Sequence, residues 1–270
     1  MKSMINILNT AFTIFNVEIR WYGIIISAAV VMSLYLAIKM FKWRGYNTDL
    51  PYELVLYVLP IAIIGARLYY VLFSGVSSWT FLEIINIRSG GLAIYGGIIG
   101  GVIGIALFSI VKKFNIIKLL DVAAVCVIIA QSMGRWGNFF NQEAYGSTVT
   151  NPDLQFFPIA IQILADGNAW HYATFFYESL WCLIGFILLI SLYKRKVPLG
   201  VPTCVYLIFY GIGRALIEGL RTDSLYIGAM RVSQLLSIIL VLIGIIGLIV
   251  ILNKNKRGKI NGQKINFKTV

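Results

Sequence analysis

Charge is scarce in this chain. Charged residues make up 13% of its 270 positions, too few to clothe a soluble domain of that size. There is one histidine, His171, and there are three cysteines, Cys126, Cys182 and Cys204. Each cysteine lies inside an apolar segment, with neither metal-ligand spacing nor a disulfide framework, so they read as small buried hydrophobes. No metal cluster and no nucleotide-binding loop is visible, so neither a metal nor a cofactor is expected. No internal repeat is detectable, which weakens the case for a transporter built from duplicated halves. A secretory cleavage signal is missing too: Glu18 and Arg20 precede the first long apolar run, and no small-residue cleavage site follows it.

What the chain does have is apolar length. Hydrophobic residues reach 59% and mean hydropathy is +0.83. Runs near the roughly 20 residues that a helix needs to cross hydrocarbon recur throughout. They are continuous and rich in Ile, Leu and Val rather than alternating, which favours helices over a closed barrel. The expected spans are 20–41, 52–73, 91–111, 119–137, 174–193, 200–219 and 231–252. The chain is therefore expected to be an all-α integral membrane protein with about seven transmembrane helices. Residues 1–253 would form one membrane body and 254–270 a basic tail.

Net charge is +12, but the basic residues cluster at the ends of apolar runs, which argues for a bilayer and against nucleic acid. Lys39, Lys42 and Arg44 follow the first span, and Lys112, Lys113 and Lys118 separate the third and fourth. Lys194, Arg195 and Lys196 follow the fifth, and Lys254, Lys256, Arg257 and Lys259 begin the tail. The positive-inside rule then puts the N-terminus outside and the C-terminus in the cytoplasm. Segment 138–173 has no Lys or Arg but carries Glu143, Asp153 and Asp166. It reads as an extracytoplasmic arm between spans four and five, ordered by its aromatics and prolines.

Several polar residues sit where hydrocarbon makes them costly. Arg67 lies deep in the second span, either snorkelling to the interface or serving a site. The third span starts Ser89-Gly90-Gly91 and carries Gly96, Gly100 and Gly104, with Gly97 and Gly101 beside them. Glycines four residues apart make a bare face for close helix approach, and the pair before the helix could offer N–H groups to an anion. At the end of the fourth span stands Gly134-Arg135-Trp136-Gly137-Asn138-Phe139-Phe140-Asn141-Gln142-Glu143-Ala144-Tyr145-Gly146. A guanidinium with amides beside it suits a phosphate headgroup. Arg214, Glu218 and Arg221 fall at i, i+4 and i+7, so one helix face is expected to carry all three. They either hold helices in register or leave positive charge for a lipid phosphate.

The run from Gly134 to Gly146 resembles the signature of the bacterial prolipoprotein diacylglyceryl transferases, Gly-Arg-x-Gly-Asn-Phe-x-Asn-x-Glu-x-x-Gly, at every fixed position. Similar matches follow in family order over about 20–237. They are Arg20-Trp21-Tyr22-Gly23, Gly65-Ala66-Arg67 with Tyr70, the glycine-rich third span and Asp121. After these come Thr174-Phe175-Phe176-Tyr177-Glu178, the Arg214/Glu218/Arg221/Asp223 run and Ser233-Gln234-Leu235-Leu236-Ser237. The resemblance implies transfer of the diacylglyceryl group from phosphatidylglycerol to the lipobox cysteine of a prolipoprotein signal peptide, at the bacterial cell membrane. It implies Arg135, Arg214, Tyr95 and Glu143 as catalytic. Tyr22, Arg67, Gly97, Asn138, Asn141, Gly146, Glu218 and Arg221 would be substrate-binding.

Two departures stand out. The family often has His where this chain has Tyr95, and a tyrosine hydroxyl is a far weaker base near neutrality than an imidazole. The His-Pro that commonly precedes Thr-Phe-x-Tyr-Glu is here Tyr172-Ala173, with His171 one position earlier. Thiol deprotonation would fall to Glu143 or Tyr95.

Overall fold

A computed structural model of the chain describes residues 10–15, 17–76, 78–87, 90–222, 226–227 and 230–260. Ser89, Asp223 and tail residues 261–270, all part of the sequence reading, lie outside these. Eight α-helices are present among the described residues. Seven are long and apolar enough to cross a membrane: α1 (Trp21–Arg44), α2 (Leu50–Phe73), α4 (Ile94–Val111), α5 (Ile116–Asn141), α6 (Thr174–Lys194), α7 (Val201–Glu218) and α8 (Val232–Ile260). The protein is thus a mostly helical, multi-pass membrane protein. Leu242, Ile246 and Ile249 of α8 are half or more exposed, as expected of side chains that meet lipid rather than protein.

Sequence reasoning missed the elements outside the spans. Helix α3 (Phe81–Ile85) is started by a capping box, in which the Thr80 hydroxyl accepts from the Glu83 N–H and Glu83 accepts from the Thr80 N–H. These Thr80 bonds hold the Glu83 carboxyl below its ordinary value. The cap is accordingly complete above the usual carboxylate range and is lost as pH falls through the lowered value. Three short antiparallel hairpins pair β1 (Thr10–Ile14) with β2 (Val17–Arg20), β3 (Ala160–Ile163) with β4 (Ala169–Tyr172), and β5 (Tyr226–Ile227) with β6 (Met230–Arg231). Each is too short to register as a pattern of alternation.

The chain divides into two compact units, one of Met1–Leu36 with Ala123–Thr269 and one built on Ala37–Val122. In the second unit α2 packs against α4 through glycine. A Cβ on Gly100 would lie 2.9 Å from Ala62 Cα, and one on Gly104 would lie 2.9 Å from Val58 Cα. Gly65 faces the backbone of Gly96 and Gly100 in the same way. Only one of the two glycine rows does this. Gly97 has ordinary contacts, and a Cβ on Gly101 would meet nothing within 4 Å. The helices run antiparallel: Glu53 in the first turn of α2 forms an ion pair with Lys112, just past the end of α4. Around that end Phe41, Tyr46 and Phe114 pack ring on ring, with Lys118 Nζ 5.2 Å from the Tyr46 ring centre.

In the first unit α6, α7 and α8 pack in sequence order, with glycine again at close approaches. Gly185 receives Ile128 and Phe209, and Gly211 lies against Ser237 and Val241. Cys126, Cys182 and Cys204 are buried. The arm after α5 is held by backbone hydrogen bonds. Gly146 N–H donates to Tyr172 O (3.0 Å), Ser147 N–H to Leu220 O (2.8 Å) and Val149 N–H to Trp170 O (2.7 Å). The arm is therefore tied both to its own hairpin and to the turn after α7. His171 is buried under it and hydrogen-bonds Gly146 O and Asp166.

Candidate functional site

The first unit gathers most of the polar residues singled out above. Helix α5 runs on to Asn141, several residues past the expected end, so Arg135 and Asn138 share a helical face. Arg135 Nη2 donates to Glu178 Oε1 of α6 at 2.6 Å. Arg214 Nη1 of α7 donates to the other oxygen, Glu178 Oε2, at 3.1 Å. One carboxylate with 2% of its side chain exposed thus bridges two guanidinium groups that are themselves about 15% exposed. Arg214 Nη2 also stands 2.5 Å from Glu218 Oε2, and Arg221 Nε stands 3.9 Å from the same oxygen. That oxygen is buried and, among the described residues, makes no well-angled hydrogen bond, so its contacts with these arginines are ionic.

Here the structure corrects the sequence reading in one respect. Helix α7 stops at Glu218 with Gly219 at its C-cap. Arg221 therefore reaches Glu218 from the following turn rather than from the same helix face.

Amides extend the network outward. Arg135 Nη1 donates to Asn138 Oδ1 (3.3 Å), and the amides of Asn138 and Asn141 both donate to Glu143 Oε1, at 2.9 and 3.1 Å. Glu143 is exposed. Two glycines shape the surroundings. A Cβ on Gly137 would lie 2.6 Å from the Tyr22 ring, so that ring packs directly against the signature helix. A Cβ on Gly146 would lie 2.7 Å from Tyr172 Cβ and 3.1 Å from Leu220 O, where the arm crosses the end of α7.

The residue that sequence reasoning left out of the site is Glu178. It appeared only as part of a motif match. Its signal was available: α6 carries a carboxylate and no cation before Lys194, so a buried acid there needs a partner from another span. Arg135 and Arg214 were cations in search of the same thing.

Arg67, Tyr95 and Gly97 belong to the second unit. Arg67 is 7% exposed and does not snorkel. Its Nε donates to Ile84 O, Nη1 to both Gly90 O and Gly91 O at 2.9 Å each, and Nη2 to Glu83 O at 2.5 Å. Tyr70 and Trp79 flank the guanidinium at 5.3 and 5.6 Å. The glycine pair thus turns carbonyl oxygens, not N–H groups, toward this side chain. At Gly91, with φ +73°, a Cβ would run into Tyr70 and Arg67. Arg67 clasps the loop from α3 to α4 through four backbone acceptors, which only a planar fork can reach together. Arg67→Lys keeps the charge but loses most of these bonds. We expect it to destabilise the protein by about 3 kcal/mol, read as a lower melting temperature in detergent. Tyr95 makes ring contact with Tyr69 at 6.2 Å.

Comparison with known proteins bears on this arrangement directly. The family model described as prolipoprotein diacylglyceryl transferase matches residues 9–250. A phosphatidylglycerol–prolipoprotein diacylglyceryl transferase of Streptococcus agalactiae serotype Ia is 46% identical over 241 residues, covering 86% of this chain and 91% of that protein. The enzyme of that name numbered 1 in Clostridium perfringens is 43% identical over 250 residues, covering 92% and 95%. The one in Listeria innocua is 44% identical over 249 residues, covering 89% and 88%. A family match across nearly the whole membrane body, with relatives covered over most of their own length, leaves one assignment: this chain belongs to the prolipoprotein diacylglyceryl transferase family.

Proposed function

We propose that this chain transfers the diacylglyceryl group of phosphatidylglycerol to the lipobox cysteine thiol of a prolipoprotein, the first step of bacterial lipoprotein maturation. A thioether forms and glycerol 1-phosphate leaves. The observation that carries this reading to a site is the convergence of Arg135 and Arg214 on one buried carboxylate. Two forked cations that share one carboxylate, in a low-dielectric setting, suit a phosphodiester whose leaving oxygen gains charge as the C–O bond breaks.

The thiolate attacks the glycerol carbon of the diacylglyceryl group, and the bonding pair of the C–O bond goes to the phosphate oxygen. Arg135 and Arg214 hold that phosphate. Asn138 and Asn141 orient the glycerol headgroup, and Arg221 and Glu218 position Arg214. Tyr22 and Gly146 shape the lining; in the second unit Arg67 holds the segment before α4 in place, and Gly97 lies beside Ala66 of α2. The thiol proton passes to Glu143, which is exposed and hydrogen-bonded through Asn138 to Arg135. A thiol titrates at about 8.5, so a carboxylate base meets a modest demand.

By the positive-inside pattern the site opens to the extracytoplasmic face of the cell membrane. Residues 1–253 form the catalytic body and 254–270 a cytoplasmic tail.

Purified protein, phosphatidylglycerol and a lipobox peptide provide the test, with the lipidated peptide read by mass spectrometry. Anion uptake into vesicles without that product would favour a transporter instead. In the same assay Glu143→Gln is expected to lower the initial rate about a hundredfold. Tyr95→Phe, which removes only a hydroxyl, should leave it within about threefold. The reverse ranking would move the base to Tyr95.

A further inference from the structure

The arm after α5 carries an apolar turn that the proposed reaction does not use. Phe156, Phe157 and Pro158 follow one another there, all exposed, with the two rings at 50% and 53%. Adjacent exposed phenylalanines are unfavourable in water and mark a contact surface. What holds the turn also fixes its depth. The Phe157 ring meets the Phe176 ring edge-on, centroids 5.0 Å apart, and Phe176 lies in the first turn of α6. Ile159 O accepts from the Ala173 N–H at 3.1 Å and from the Tyr177 hydroxyl. The turn is therefore fastened to the start of a membrane-spanning helix. The 21 residues of α6 reach about 30 Å in helical form, the thickness of the hydrocarbon layer. Lys194 ends that helix and Arg195 and Lys196 follow it, which keeps that end in water. Phe176 then stands at the opposite edge of the hydrocarbon.

We infer that the Phe156–Phe157–Pro158 turn is a membrane anchor, which dips into the leaflet where α6 begins and sets the depth of the arm. The surface it continues is the lipid-facing one. Phe176, Leu180, Ile184 and Ile187 share one face of α6 by their spacing, and the last three are 46%, 50% and 57% exposed. Phe157 extends that face beyond the helix end. The backbone of the turn suits lipid contact as well. Pro158 has no N–H, Phe156 O accepts from the Ala160 N–H at 2.8 Å, and Ile159 O has the two donors already named, so these polar groups are paired before they meet lipid. Attraction to charged headgroups does not supply the binding, because segment 138–173 contains no Lys or Arg and Asp153 stands just before the turn. Aromatic surface at the membrane–water interface does. The hairpin that follows the turn also bonds Gly146 and Ser147, so the anchor steadies the segment that leaves the signature helix. This inference concerns where the arm sits and holds whatever group the site transfers.

The test uses the full-length protein in vesicles of zwitterionic phospholipid. A nitroxide is attached at Phe156→Cys, at Phe157→Cys or, as a control on the exposed part of the same arm, at Asp153→Cys. The native cysteines are buried, and the unsubstituted chain measures what little label they take. Collisions with oxygen, which concentrates in lipid, are compared with collisions with a water-soluble nickel chelate. At positions 156 and 157 the oxygen-to-nickel ratio should exceed that at 153 by about threefold or more. It should be the same at low and high salt, since apolar insertion is not screened. In addition, Phe156→Ser should speed amide exchange across residues 146–172 in vesicles by about threefold or more, and Phe156→Leu should restore the wild-type rates.

Ratios at 156 and 157 equal to that at 153 would put the turn in water and overturn the proposal. Shielding that appears only when a lipobox peptide is added would assign the surface to peptide instead of lipid, and the proposal would fail. If Phe157→Cys does not fold, Phe156→Cys decides alone, because the Phe176 contact is made by Phe157. Wild-type exchange rates in Phe156→Ser would show that the turn does not hold the arm.

Discussion

Arg135→Ala and Arg214→Ala are each expected to reduce diacylglyceryl transfer about a thousandfold. Removing one preorganised donor to developing charge typically costs a hundred- to a thousandfold in rate, and here each arginine also balances a buried carboxylate. Truncating either leaves Glu178 with one partner instead of two, which by itself is strongly destabilising for a buried charge. Activity loss alone would therefore not separate catalysis from folding. The Lys variants do. Arg135→Lys and Arg214→Lys keep the charge beside Glu178 but lose the fork. They should fold, judged by thermal unfolding in detergent, and still lose transfer about tenfold to a hundredfold. The measurement is kcat and KM for phosphatidylglycerol with a lipobox peptide. Full transfer by either Ala variant would remove that arginine from the phosphate clamp.

The second large effect is expected from Gly100→Leu in α4. There a Cβ would already be 2.9 Å from the α2 backbone at Ala62, and a whole side chain cannot be housed without driving the helices apart. In lipid, helix association depends on such close packing because no hydrophobic gain separates the contact from the bilayer. Overpacking typically costs about 1–3 kcal/mol, and a backbone contact gives less room to relax than a side-chain one. The protein should be recovered in much lower yield and unfold at lower temperature. Gly101→Leu, one residue on, projects where nothing lies within 4 Å and should behave as the wild type. Equal behaviour of the two variants would show that the α2–α4 contact does not depend on the glycine row.

The contrast between those neighbours marks where a one-dimensional reading ends. Both glycine rows have the spacing of a packing face. Spacing alone does not say which row meets a helix, because that depends on how α4 is rotated against α2. Arg67 is similar. Its cost in hydrocarbon was evident from its position, and that cost required some partner. The partners turned out to be four carbonyl oxygens of Glu83, Ile84, Gly90 and Gly91. Backbone oxygens carry no signature in a residue string.

The amino-acid sequence determined by itself the number and approximate limits of the membrane helices, for a general reason. Hydrocarbon offers backbone groups no hydrogen-bond partner, so any apolar run of sufficient length becomes a helix. It also determined that Arg135, Arg214, Glu218 and the Asn138–Asn141–Glu143 cluster were out of place in lipid and needed an explanation. The tertiary structure alone decided that Arg135 and Arg214, from α5 and α7, share the two oxygens of Glu178 from α6. Those three residues lie on three helices dozens of positions apart. A buried charge specifies that a counter-charge must exist, and only packing decides which one comes within hydrogen-bonding reach.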